Sequence, residues 1–448
     1  MRERRPTAAA RGAVAAALAG LAALAATVLT GPEMAAVAAV GTDCPGTHWV
    51  ASWAGSPTDS LVPVDATGAR SPSALTDQTA RMVVTPHLGG SSLRIHLSNR
   101  FSSSPVTFGR VTVGVQTSGA AAAGIVPVTF GTAPSVTVPA GQDVTSDPVA
   151  LTFSAFTPIA VSSYVPGVVN GPTKHWNANA TSYYSAARSG DLSAQSGGAG
   201  FTATTGAWLF VNGVDVMAPA DVRSVVAFGD SITDGFVGAA ALTVPADASV
   251  ADTNGRYPDV LQRRLNDAGL GLSVVNAGIS GNQLLTDGRP FHAGPSGLAR
   301  FGIDALAQAG VDGVLLLEGT NDLGMSSSTP EQIIAGFLQL IERTHAAGAK
   351  IWLGTLLPAS DALVDGTALA PNSEDYRQRV NSWIRGQTRA DGVVDFDAAL
   401  RDPANPTVLR AEYASVDNLH PSPAGYRAMA NAVDLALLDT TTTGGCRQ

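Results

Sequence analysis

From Pro219 onward, apolar runs of strand length alternate with segments of helical period, and this rhythm constrains the fold more than any other feature. The runs are Ser224–Phe228, Leu272–Ala277, Gly313–Leu317, Lys350–Leu356 and Val393–Phe396. Between them, Pro258 sits at a first helical position ahead of Val260, Leu261, Leu265 and Ala268, which share one face. Pro330 opens a second such segment carrying Ile333, Ile334, Phe337, Ile341 and His345. Ser373–Gln387 and Ser422–Leu438 read as two further helices. Strand and helix in strict alternation predict an α/β half built on a parallel sheet of five strands, covered on both faces.

Upstream the pattern differs. Thr47–Met217 reads as short strands separated by Gly, Pro, Ser and Asn, with no helical period. Leu93–Ser98 and Val111–Gln116 alternate apolar with polar residues, as a half-buried strand does. Arg81–Val84, Val126–Phe130, Pro158–Tyr164 and Trp208–Val216 are further β-rich runs. Strands at this spacing predict an all-β sandwich-like region. The expected organisation is therefore a leader over 1–38, an all-β domain over 45–218 and an α/β domain over 219–440.

The first 38 residues carry the marks of a signal peptide. Arg2, Arg4, Arg5 and Arg11 precede the small-apolar stretch Ala13–Leu29, and Ala36-Val37-Ala38 offers a small-x-small cleavage site. A single-pass anchor is the alternative, but the stretch is mostly Ala and Gly, and Gly31-Pro32 breaks it early. No stable membrane insertion is expected once the leader is removed. Cys44 and Cys446 are the two cysteines; after export they are natural disulfide partners. Lipidation of Cys44 is the competing idea, and Asp43 before it fits a lipoprotein cleavage site poorly. The chain is expected to be secreted and extracellular.

Charge excludes one class of partner. The formal net charge is −9, and the lysines are Lys174 and Lys350. A nucleic-acid partner would need a dense basic surface to neutralise phosphates, and none is visible. The histidines His48, His87, His96, His175, His292 and His345 show no ligand spacing, so neither a metal nor another cofactor is expected.

Four short motifs then fall in the loops that follow the predicted strands. Gly229-Asp230-Ser231 follows the first strand, Gly278-Ile279-Ser280-Gly281 the second and Gly319-Thr320-Asn321-Asp322 the third, while Asp417-Asn418-Leu419-His420-Pro421 precedes the last helix. In open parallel sheets, ligands bind outside the carboxyl ends of the strands. All four motifs therefore converge on one edge. Ser231 reads as a nucleophile, His420 as its base and Asp417 as the group that orients the base. The backbone N–H groups of Ser231 and Gly281 and the Asn321 side-chain amide read as oxyanion donors. Asp230-Ser231 as a simple helix cap is the bland alternative for the first motif. Asp230, Asp234 and Asp322 read as loop-shaping groups, and Glu318 as structural.

These blocks resemble the SGNH, or GDSL-type, esterase/lipase superfamily over about Val222 to Ala430. The resemblance implies a three-layer α/β/α, flavodoxin-like fold and metal-independent ester hydrolysis through an acyl-enzyme. His48–Trp53 and Leu97–Phe101 resemble the accessory region of secreted actinobacterial members. The function expected is cleavage of small O-acyl groups, acetyl groups on polysaccharide among them. A lipase or phospholipase acting on longer acyl chains is the alternative within enzymes. A non-catalytic glycan- or cell-wall-binding protein is the alternative outside them. The substrate partner would be a small-molecule, glycan or lipid ester. Phe236–Asn254 is the segment expected to shape the pocket, and Trp49, Trp53 and Trp176 would either stack on sugars or lie buried.

Overall fold

The five apolar runs form a five-stranded parallel sheet in the computed structural model, which describes residues 46–241, 244–288, 293–326, 328–359 and 372–438. In spatial order the strands are Leu272–Gly278, Arg223–Gly229, Val311–Leu317, Lys350–Gly354 and Gly392–Val394. Every neighbouring pair is parallel. Val225–Phe228 and Val314–Leu317 are entirely buried, as strands covered on both faces must be. The chain runs from the first strand to one side and then returns to the other, so strand order reverses between Arg223–Gly229 and Val311–Leu317. That reversal opens a crevice at their carboxyl ends.

The helices begin where the sequence predicts. Pro258 lies in the first turn of Tyr257–Asp267, whose Asp259 accepts from the Arg256 N–H at 3.0 Å. Pro330 starts Pro330–Ala346 behind a reciprocal cap: Gln332 Oε1 accepts from the Thr329 N–H, and Thr329 Oγ1 from the Gln332 N–H. The expected single helix Ser422–Leu438 is instead two, Pro423–Ala432 and Leu435–Leu438. Val433 turns extended, and its carbonyl accepts from Arg264 Nη1 at 2.9 Å, which takes the place of a continuing helical bond. Among the described residues, no helix is long and apolar enough to cross a membrane.

The upstream half is antiparallel throughout its two main sheets, one of six strands and one of five. Leu93, Ile95, Val214 and Val216 of one sheet and Met82, Val111, Ile159 and Val161 of the other belong to a single buried cluster. The run expected over Trp208–Val216 is split into Trp208–Leu209 and Val211–Pro219, because Phe210 takes φ +63°. Residues 1–38, Cys44 and Cys446 lie outside the described residues.

The two halves share a core rather than merely touching. Strand Thr47–Ala54 contributes Ala51 and Ala54 to the α/β cluster, and the Ala51 N–H donates to the Ala309 carbonyl at 2.8 Å. Arg100 pairs with Asp304 at 2.6 Å, and His87 with Asp259 at 3.0 Å, both across the seam and both part- or fully buried. These contacts hold the antiparallel half against the parallel sheet and its helices.

Candidate active site

The last position of strand Arg223–Gly229 admits only glycine. A Cβ on Gly229 would lie 2.2 Å from the Leu317 carbonyl oxygen and 2.3 Å from Thr233 Oγ1. Asp230 then caps the one-turn helix Ser231–Asp234 by accepting from the Ile232 N–H at 2.9 Å. The cap is thus Asp230, and the next residue, Ser231, is free to face the crevice. Its hydroxyl meets His420 Nε2 at 2.7 Å.

His420 Nδ1 lies 2.7 Å from Asp417 Oδ2. An ionised carboxylate only accepts, so Nδ1 carries the proton and Nε2 is left as the acceptor facing Ser231. The other carboxylate oxygen accepts from Ser415 Oγ at 2.8 Å and from the Leu419 and His420 N–H groups at 2.9 Å. Burial would raise the Asp417 pKa. The hydrogen bonds and charge of His420, with the Leu419 N–H, outweigh it and hold the carboxyl down to about 2. A Cβ on Gly238 would fall 2.1 Å from Asp417 Oδ2, so the segment expected to shape the pocket approaches this carboxylate by backbone alone. From the same segment, the Phe236 ring lies 4.6 Å from that of His420, and Trp176 stacks on Phe236 at 6.2 Å. Trp53 and Trp176 are both buried, so neither is an open sugar platform.

The oxyanion candidates come from the next two loops. Gly281 has φ +79°, a left-handed conformation that asks for glycine before any question of substrate approach. The residue before it is pinned: Asp234 Oδ2 accepts from the Ser280 N–H at 3.0 Å and from its hydroxyl at 2.6 Å. Asn321 sits in the first turn of Thr320–Met325, its amide donating to the Asn282 carbonyl at 2.8 Å and facing Asp230 Oδ2 at 3.5 Å. Asp322 accepts from the Leu284 and Leu285 N–H groups at 2.7 and 2.9 Å, tying the second loop to the third. Among the described residues, the N–H groups of Ser231 and Gly281 meet no acceptor.

Beneath these loops lies a residue that sequence reasoning missed. Arg300, on the short helix Gly297–Phe301, is buried at 2% exposure. It donates to the carbonyls of Gly229 at 2.8 Å and Ala277 at 2.7 Å, and to Asn282 Oδ1 at 2.8 Å. Its guanidinium also lies 3.5 Å from Glu318 and 3.9 Å from the Phe228 ring centre. One side chain therefore gathers the ends of the first three strands. The only local hint is a single arginine in an otherwise uncharged stretch from Ala293 to Phe301.

Three carboxyls crowd the same floor. Burial pushes Asp230 and Asp322 up to about 6, and Glu318 well above the usual carboxylate range. A carboxyl raised on folding costs stability at high pH and ceases to do so as pH falls through its folded pKa. The depressed Asp417 acts oppositely, but its contribution is lost only below the ordinary carboxylate value of about 4. The melting temperature should therefore be higher near about pH 5 than near about pH 8. Calorimetry across that range checks this, and a flat or rising profile toward pH 8 would contradict it.

The family model described as GDSL-like Lipase/Acylhydrolase matches residues 227–428, which contain all four motifs. No curated protein matches the chain. Among solved structures, the carbohydrate acetylesterase Est24 from Sinorhizobium meliloti is 17% identical, covering 48% of this chain and 99% of its own, with a TM-score of 0.39. The inhibitor-bound aryl esterase of M. smegmatis is 18% identical, covering 47% and 96%, with a TM-score of 0.38. A parallel sheet whose carboxyl edge carries these blocks, and a family match that runs from strand Arg223–Gly229 into helix Pro423–Ala432, lead to one assignment. Residues 227–428 belong to the GDSL-like lipase/acylhydrolase family, within the SGNH/GDSL superfamily, and the protein is a carboxylic ester hydrolase.

Proposed function

We propose that Ser231, His420 and Asp417 form the catalytic triad of a hydrolase for small O-acyl esters, acetyl groups on polysaccharide being the leading substrate class. The observation that carries this reading is the unbroken hydrogen-bond chain Ser231–His420–Asp417, with both links at 2.7 Å. His420 Nε2 takes the hydroxyl proton as Ser231 Oγ bonds to the ester carbonyl carbon. The negative oxygen that forms is met by the Ser231 and Gly281 N–H groups and the Asn321 amide. Collapse breaks the bond to the alcohol, which leaves with the proton from His420. Water then attacks the acyl-enzyme by the same route and regenerates Ser231. Asp417, ionised down to about pH 2, holds the imidazole tautomer throughout the working range.

The small-acyl preference is supported by the wall of Phe236 and Trp176 beside His420, both buried with Ala66 and Ala246 in one cluster. A second reading, hydrolysis of longer acyl chains, is favoured by apolar side chains exposed on the site's own loops. Val416 next to Asp417, Met325 at the end of the Asn321 helix and Val244 in the pocket segment are each more than half exposed. A p-nitrophenyl ester series from acetate to palmitate separates the two. Turnover should peak at the shortest chains, and a maximum at the longest would replace the esterase reading with the lipase one. We read the architecture as a three-layer, flavodoxin-like domain completed by a β-sandwich, and the protein as secreted. In that reading 1–38 is removed and Cys44 bridges Cys446, so the intact mass of the exported protein should begin near residue 39 with no free thiol.

A further inference from the structure

We propose that His175, from the antiparallel half, is a positioning residue for the hydrolysis, acting through Asp234 and Ser280 on the Gly281 N–H. The proposal rests on the triad and oxyanion reading above. His175 occupies the two-residue strand Lys174–His175, paired with Trp208–Leu209, and is buried. Its Nδ1 lies 2.7 Å from the Ser56 carbonyl, and its Nε2 lies 3.0 Å from both Asp234 Oδ1 and the Asn177 carbonyl. Every one of these partners only accepts. Both ring nitrogens must then donate, and the form that does so is the imidazolium. Burial opposes that charge, but Asp234 and the Ser56 carbonyl outweigh it and raise the His175 pKa, while Arg256 works against them.

Asp234 passes the constraint on. It is the last residue of the nucleophile helix, and its second carboxylate oxygen holds the Ser280 N–H and hydroxyl. Arg256 Nε donates to the Asp234 carbonyl at 2.8 Å, fixing the same residue from its backbone. Gly281 follows Ser280 directly, and at φ +79° it has no side chain of its own to anchor it. Its N–H direction is therefore set by Ser280, Ser280 by Asp234, and the Asp234 carboxylate by the charge of His175. The buried pair lies in a polar seam that also carries His87, Asp259 and Arg256 around a cavity of about 20 Å³. A carboxylate without its counter-ion in such a seam would turn elsewhere for donors, and the oxyanion loop would turn with it. The antiparallel half thus completes the catalytic apparatus from behind.

Kinetics on p-nitrophenyl acetate with the full chain test this. His175→Phe keeps a ring beside Trp208 but removes both donors, and it should lower kcat about 10- to 100-fold with KM little changed, as a displaced catalytic group does. His175→Gln, which keeps one donor toward Asp234, should recover most of that loss. Ser280→Ala reads the link from the other side and should lower kcat in the same manner, more mildly. A folded His175→Phe with wild-type kcat, or a loss carried entirely by KM, would overturn the proposal. If His175→Phe does not fold, Ser280→Ala decides, and an unchanged kcat there overturns it. Ser231→Ala is assayed in parallel. Turnover surviving in that variant refutes the triad itself, whereas a dead Ser231→Ala beside normal His175 and Ser280 variants refutes the relay alone.

Discussion

Replacing Ser231 by alanine should reduce kcat by about 10⁴- to 10⁶-fold while leaving the melting temperature within a few degrees of wild type. The size follows from the site's design. In the proposed triad the Ser231 hydroxyl attacks, and His420 Nε2, 2.7 Å away, has no other hydroxyl among the described residues to deprotonate. Stability should hold because the Asp230 cap and the Ser231 backbone, not the hydroxyl, support the helix. His420→Ala should cost a similar factor, and the double variant should be no worse than either single one. Groups that act as one unit are not additive. Additive losses would mean that the serine and the imidazole work separately, and would contradict the proposed triad.

Arg300→Ala should be the most destabilising single substitution near the site, by about 3–5 kcal/mol. The guanidinium is buried and donates to the Gly229 and Ala277 carbonyls and to Asn282 Oδ1, and it lies within 3.5 Å of Glu318. Truncation leaves these acceptors without their donor beneath Phe228, and the Glu318 carboxyl without the cation it pairs with among the described residues. The oxygens of Glu318 already lack a hydrogen-bond partner among the described residues. Lysine in its place carries the charge but cannot fork toward three strand ends, so Arg300→Lys should recover only part of the loss. Denaturant unfolding of the two variants measures both effects. A midpoint for Arg300→Ala within error of wild type would show that the strand ends are held by the sheet alone.

The parts of this molecule legible in its sequence are those encoded locally. Asp417 and His420 are three residues apart, so a single turn brings them together, and the other three motifs declare themselves by adjacency to strands whose apolar runs are unmistakable. Gly281 was legible as a backbone donor, whereas its φ of +79°, which by itself asks for glycine, was not. Asn321 was legible as a donor, whereas the hold of the Asn282 carbonyl on its amide was not. The larger omission concerns long-range polar contacts. His175 meets Asp234 across 59 residues, His87 meets Asp259 across 172, and Arg300 reaches back 71 residues to Gly229. A buried polar contact of this kind leaves no periodicity, because it is made by one polar side chain in an otherwise ordinary segment. The same blindness made the antiparallel half look like an accessory. Its residues close the seam through single side chains scattered from Ser56 to Trp208, and no motif gathers them. Breaks at Phe210 and Val433 were hidden for a related reason, since neither residue is a breaker by type.

The central claim is that an ester's acyl group passes through Ser231, and trapping it is the most direct measurement. Acid quenching during turnover of p-nitrophenyl acetate, followed by peptide mass mapping, should place an acetyl group on the peptide containing Ser231 in the wild type and nowhere in Ser231→Ala. An acetyl adduct on a different residue, or hydrolysis that continues undiminished in Ser231→Ala, would contradict the account.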